Sequence, residues 1–113
     1  MSTTADDAAS VHYSGQMLSI RQTTEYSDRF ENLRDRQARA RIDVRVRRLG
    51  MGKPGEHRGL TGGVVEMTID RGPGSRVDYT QRGLDLILLL IGGDKSSQHE
   101  DIRTALRIAK DLE

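Results

Sequence analysis

The chain has no cysteine among its 113 residues, which excludes a disulfide framework, a thiolate metal site and a cysteine nucleophile, and suits a reducing compartment. It also lacks a long apolar run. Its longest such stretch falls far short of the roughly 18 residues that a membrane helix needs. The amino terminus, with Asp6 and Asp7 and no apolar core, does not have the make-up of a signal peptide. A cytoplasmic protein with no membrane partner is expected. Aromatic side chains are scarce, being limited to Tyr13, Tyr26, Phe30 and Tyr79. Bulk charge is scarce too: 18 Lys and Arg stand against 17 Asp and Glu, and a net charge of +1 points to no particular partner.

The distribution of charge says more than its sum. Between Asp28 and Gly59 lie ten basic residues and five acidic ones, and nine of the ten are arginine, whose planar donors suit phosphate. Arg45, Arg48, Lys53 and Arg58 are therefore candidate RNA contacts, with Arg71 further along the chain. The plainer reading of such a segment is a solvated helix face.

Around the stretch Gly63 to Asp101 the rest of the chain is organised. Val64 to Ile69 and Arg76 to Thr80 alternate, which sets Val65, Met67, Ile69, Val77 and Tyr79 on one face and Glu66, Thr68, Asp70, Arg76, Asp78 and Thr80 on a wet one. Leu84 to Ile91 reads as the third strand, whose run Leu86 to Ile91 is apolar on both sides and forms the centre of the core. Gly72-Pro73-Gly74 and Gln81-Arg82-Gly83 supply the turns of an antiparallel meander.

Elsewhere, residues 1–16 are small, polar and aperiodic, and read as a disordered extension in which His12 and Tyr13 have no role. Met17 to Gln22 offers a fourth strand. Thr23 or Thr24 caps a helix with Tyr26, Phe30 and Leu33 in one stripe; Asp35 caps a second, with Ala38, Ile42, Val46 and Leu49 inward, ended by Gly50 and Gly52. Lys53 to Gly62 is a glycine-rich loop, but no Gly-Lys-Ser/Thr follows, so it is not a phosphate-binding loop. Ser97 to Glu100 is a capping box that starts a last helix with Ile102, Ala105, Leu106, Ala109 and Leu112 in its stripe. The fold class is α+β, in the order β-α-α-β-β-β-α, with an antiparallel sheet packed on helices over 17–113.

Ile20-Arg21-Gln22-Thr23, Leu33-Arg34-Asp35-Arg36, Ala38 to Ile42, Glu66 to Asp70, Gly72-Pro73-Gly74, Arg76-Val77, Tyr79, Gly92 to Ser96 and Gln98 together resemble the RelE/ParE toxin superfamily. Within it the match is to the HigB-like branch, often labelled addiction module killer proteins. Members of that branch commonly begin where Met17 falls. The resemblance implies a RelE-like α+β domain and a toxin held inactive by a cognate antitoxin. It implies a ribosome-dependent, metal-independent endoribonuclease that cuts mRNA and inhibits translation, with a ParE-like inhibitor of DNA gyrase as the alternative. A degenerate toxin that keeps only its antitoxin is the third reading.

Metal-free RNA cleavage needs a proton acceptor, a proton donor and fixed positive charge at the phosphate. By the resemblance, Arg76 contacts the scissile phosphate from the wet face, so that Arg76→Ala leaves the fold intact. The plainer reading is a surface arginine paired with Asp78 or Glu66. Lys95 stands where the family carries a basic residue after the central strand, or is simply a turn lysine. Gln98, His99 and Asp101 lie where HigB-like nucleases place active residues; His99 suits proton transfer or is merely exposed. His57 has no evident partner. No spacing suggests a metal, and no cofactor is expected. Glu66 and Thr68 replace the expected lysines, and Ser75 and Asp78 the expected aromatics, which removes cations and stacking surface from the site.

Overall fold

A computed structural model describes residues 18–69 and 75–112. The expectations for residues 1–16 and for Met17, Asp70, Arg71 and the Gly72-Pro73-Gly74 turn lie outside the described residues. Among these residues, five strands and three α-helices follow one another, besides two short 3-10 turns: β1 (Ser19–Gln22), α1 (Thr24–Glu31), α2 (Arg36–Gly50), β2 (His57–Gly59), β3 (Val64–Thr68), β4 (Arg76–Arg82), β5 (Leu86–Gly93) and α3 (Gln98–Asp111). The fold is α+β, with a five-stranded mixed sheet in the order β1-β5-β4-β3-β2.

Two features correct the expected all-antiparallel sheet. β1 runs parallel to β5, from Ser19 opposite Leu86 to Gln22 opposite Leu89. The apolar β5 is buried on both faces and needs a strand on each edge, and β1 supplies the second one. The glycine-rich loop also contains a short strand. β2 pairs antiparallel with β3, His57 opposite Met67 and Gly59 opposite Val65.

Beyond β1 the edge of β5 would be left unpaired, and the start of α1 closes it. Thr23 N donates to Leu89 O at 3.0 Å and Thr23 Oγ1 to Leu90 O at 2.6 Å. The same hydroxyl accepts from Tyr26 N at 3.0 Å, so one threonine caps the helix and ties it to the sheet. α2 begins where expected, with the Asp35 carboxylate accepting from Gln37 N and Ala38 N.

Both faces of the sheet are covered. Ile42, Val46 and Leu49 of α2 and Tyr26 of α1 pack on Ile20, Met67, Val77, Tyr79, Ile87 and Leu89. α3 packs on the other face, with Ala105, Ile108 and Ala109 against Val64, Leu88, Leu90 and Ile91. A register shift in the β4–β5 pair sets Asp78 opposite Ile91 and Tyr79 opposite Leu89. Leu90 is the extra residue, so Leu90 and Ile91 both serve the α3 side, as a bulge permits. Each such fully buried side chain stabilises by roughly 1.5–3 kcal/mol.

The polar face of the meander is therefore not wet. α3 lies over it, and Glu66, Arg76, Asp78 and Thr80 are all buried. Ser97 does not form the expected capping box, since its side chain makes no cap bond. The inward residues of α3 are Asp101, Ala105, Ile108 and Ala109, which turns the expected stripe toward Ile108 and leaves Ile102 half-buried.

Candidate functional site

Four charged side chains from three elements meet beneath α3. Glu66 lies on β3, Arg76 and Asp78 on β4, and Asp101 on the first turn of α3. Cross-strand pairing sets Glu66 directly opposite Asp78, a like-charge pair that is unfavourable alone. Arg76, only 3% exposed, offsets it. Its Nη1 donates to Asp78 Oδ2 at 3.1 Å and its Nη2 to Asp101 Oδ2 at 2.7 Å, while Nε is 3.9 Å from Glu66 Oε2. Nη2 also reaches the Asp94 carbonyl at 3.3 Å.

Further donors to two of these carboxylates complete the charge balance. Glu66 accepts from Arg58 Nε and from Gln98 Nε2, both at 2.8 Å. Asp101 accepts from Arg29 Nη2 at 3.1 Å and from Ser97 Oγ at 2.6 Å. Arg29 also donates to Gly92 O at 3.0 Å, which joins the edge of β5 to α3. Three carboxylates thus face three guanidiniums, two of them half-exposed at the rim. Arg76 Nε and Asp78 Oδ1 are buried without a hydrogen-bond partner.

These surroundings push the carboxyls apart. Burial raises Asp78 to about 6; the Arg76 charge opposes this, and the Glu66 and Asp101 charges add to it. Burial also pushes Glu66 up, but the donors Gln98 and Arg58 and the Arg58 and Arg76 charges outweigh it and hold Glu66 below the usual carboxylate range. Asp94, at the turn before α3, is held low chiefly by the Ser96 hydroxyl, 2.6 Å from its Oδ1.

Gly93 lets the two layers approach. It pairs with Arg76 across the sheet, and a Cβ there would collide with Asp101 Oδ2 and meet Ser97 Oγ at 2.8 Å. A cleft of about 380 Å³ lies between α1, α2 and the ends of β4 and β5, and shares Arg29, Gly93 and Ser97 with the charged centre. Tyr26, Phe30 and Val77 form its apolar part, and Ser75, Ser96 and Ser97 its polar part.

Of the residues implied as catalytic, Arg76, Gln98 and Asp101 come together. Arg76 is not on a wet surface: the covering helix removes it from solvent, and the plainer pairing with Asp78 and Glu66 is the one formed. His99 is exposed on α3, outside the cluster. The Lys95 side chain lies outside the described residues. Among the expected RNA contacts, Arg48 and Lys53 are exposed, and Arg71 lies outside the described residues. Arg58 is half committed to Glu66. Arg45 is committed to structure, donating to the carbonyls of Thr68 and Pro54 at 2.7 Å and of Glu56 at 3.3 Å. His57 has a partner after all, with Nδ1 2.7 Å from Gly55 O.

Arg29, Ser97 and Gly93 join the centre beyond the residues expected from the sequence. No local pattern marks Arg29 or Ser97. Asp101 did carry a further signal, since it stands four residues before Ala105 and so heads the inward stripe of α3. No group of His or acidic residues among those described could hold a metal ion. No described helix is long and apolar enough to cross a membrane.

No family model matches the chain, and no solved structure matches it. A protein of Haemophilus influenzae that carries the description "Uncharacterized protein" is 35% identical over 95 residues, covering 84% of this chain and 96% of that protein. With that identity over nearly the whole of the relative, the chain belongs to the same protein family as the Haemophilus influenzae protein.

Proposed function

We propose that this protein is the toxin of a two-component toxin–antitoxin system of the RelE/ParE kind, and that it arrests growth by binding its target rather than by cutting RNA. The first half rests on the resemblance that runs from Ile20 to Gln98. The element order supports it, with two helices, a meander and a terminal helix that bring Arg76, Gln98 and Asp101 to one place. DNA gyrase, the target of ParE-like toxins, is the target class this reading names, and a cognate antitoxin is its regulatory partner. Because α3 already covers the polar face of the meander, an antitoxin either displaces α3 or binds elsewhere.

The observation that carries the second half is the state of Arg76. Both of its terminal nitrogens donate hydrogen bonds to carboxylates, and it is closed off from solvent. A phosphate entering there would displace Asp78 or Asp101 and sit beside the remaining acids, which like-charge repulsion opposes.

One observation favours RNA cleavage as the alternative. Asp78 at about 6 and a depressed Glu66 flank a guanidinium, and separated carboxyl pKa values mark an acid and a base. Glu66 would take the 2′-hydroxyl proton and Asp78 would protonate the leaving oxygen. That chemistry requires α3 to lift, since Asp78 is fully buried.

The test is induced expression, with growth, primer-extension mapping of transcripts and a gyrase supercoiling assay followed together. Growth arrest without new transcript ends, relieved by co-expression of the adjacent reading frame, is the expected result. Defined transcript cuts on the ribosome would replace binding with cleavage. No arrest, and no complex with the neighbouring product, would remove the toxin reading.

A further inference from the structure

The solvent side of α2 carries a second apolar line that the core does not use. At 100° per residue, Ile42, Val46 and Leu49 point into the sheet, and Ala40 and Val44 fall within about 40° of each other on the opposite side, with the C-cap residue Met51 just past the helix end continuing their line. All three are exposed, Val44 by 48% and Met51 by 40%. Arg41 and Arg48 run along one flank and Arg36 and Asp43, the one acid of the helix, along the other, while Arg47 lies in the line itself; all are exposed. A shallow hollow of about 280 Å³ formed with Arg45 and Ile69 extends the apolar surface beside Ala40 and Val44.

We propose that this face of α2 docks an acidic amphipathic helix of a protein partner, with apolar residues on its seam and glutamate or aspartate along the edge that meets Arg41 and Arg48. Gln37, Ala40, Val44, Arg47 and Met51 follow the three-and-four spacing of a helix-pairing seam, and the flanking arginines occupy the positions where such pairs carry opposite charges. An RNA strand fits less well. Phosphates gain nothing from Val44 and Met51, and stacking needs exposed rings, whereas Tyr26 and Tyr79 are buried and Phe30 lies half-buried under Arg39. The seam is about 22 Å long at 1.5 Å per residue, so a weak, exchangeable complex is expected. This surface lies on the face of the molecule opposite the charged centre, and the inference does not depend on the toxin reading.

The test uses the full chain and a fluorescent synthetic peptide of three heptads, with leucine at the seam and glutamate along its flank. A second peptide with lysine on that flank and an oligouridine RNA serve as comparisons, and binding is read by anisotropy. The acidic peptide should bind, weaken more than tenfold in Val44→Asp and in Arg41→Glu with Arg48→Glu, and weaken with added salt, while melting temperatures stay unchanged. Arg48→Glu alone gives a milder version of the same loss should Val44→Asp fail to fold. The proposal is overturned if the acidic peptide does not bind, if it binds the variants equally, or if RNA binds and the peptide does not. It is equally overturned if Val44→Asp abolishes only self-association of the chain.

Discussion

Arg76 and Asp101, twenty-five residues apart in sequence, meet through a 2.7 Å bond that is closed off from water on both sides. The bond fastens the first turn of α3 to the middle of the sheet. At the other end of the helix, Arg82 donates to the Ala109 carbonyl at 3.1 Å. A single strand, β4, therefore holds α3 at both ends by arginine, and the apolar residues Ala105, Ile108 and Ala109 fill the space between.

The close approach at Gly93 makes that position intolerant. Gly93→Ala places a methyl group against Asp101, Ser97 and Arg29, and overpacking of this kind costs roughly 1–3 kcal/mol. Gly59→Ala, also in a strand but with nothing within 4 Å of its Cβ, should be neutral. Urea midpoints of the two variants measure the difference; equal midpoints would show that α3 moves away without loss.

Asp78 makes stability depend on pH in an unusual direction. Its folded value of about 6 lies above the ordinary 3.8 because burial disfavours the anion, so the folded state holds its proton more tightly than the unfolded chain. Stability from this group is present in full below about 4 and is lost as pH rises through 6, a span of about 3 kcal/mol. Glu66 acts in the opposite sense, losing its contribution as pH falls through its lowered folded value. Asp78→Asn should flatten the stability curve between pH 4 and 7. An unchanged slope in chemical denaturation across that range would assign the titration to another group.

Thr23 joins two structures through one hydroxyl. Thr23→Ala removes the cap on Tyr26 N and the bond to Leu90 O and should cost about 1–2 kcal/mol, while Thr23→Ser should recover most of it. Loss of stability in both variants to the same extent would mean that the methyl group, not the hydroxyl, matters.

Much of this architecture is legible in the sequence because it depends on local periodicity. The alternation in β3 and β4 assigns Val65, Met67, Val77 and Tyr79 to one side; Asp35 marks the start of α2; Ala38, Ile42, Val46 and Leu49 mark its inward face. What escapes is long-range. The parallel pairing of β1 with β5 is decided by which edge remains open, and β2 is too short for a period. The polar alternation of Glu66, Arg76 and Asp78 has the pattern of a wet face, and only the placement of α3 converts it into a buried charge cluster. Asp101, in an inward position with Ala105, Ile108 and Ala109, is the residue that betrays the covering helix.

The account of Arg76 as a fastening for α3 is tested most directly by the energy that couples it to Asp101. Arg76→Lys, Asp101→Asn and the double variant, measured by urea denaturation, form a double-mutant cycle, and Arg76→Ala gives the full loss. The coupling should be about 1–3 kcal/mol, and Arg76→Ala should cost about 3 kcal/mol or more, which lowers the melting temperature by roughly 10 °C or more. Additivity of the two single variants within about 0.5 kcal/mol, with Arg76→Ala melting as the unaltered chain does while growth arrest is lost, would contradict it and return Arg76 to the role of an exposed functional group.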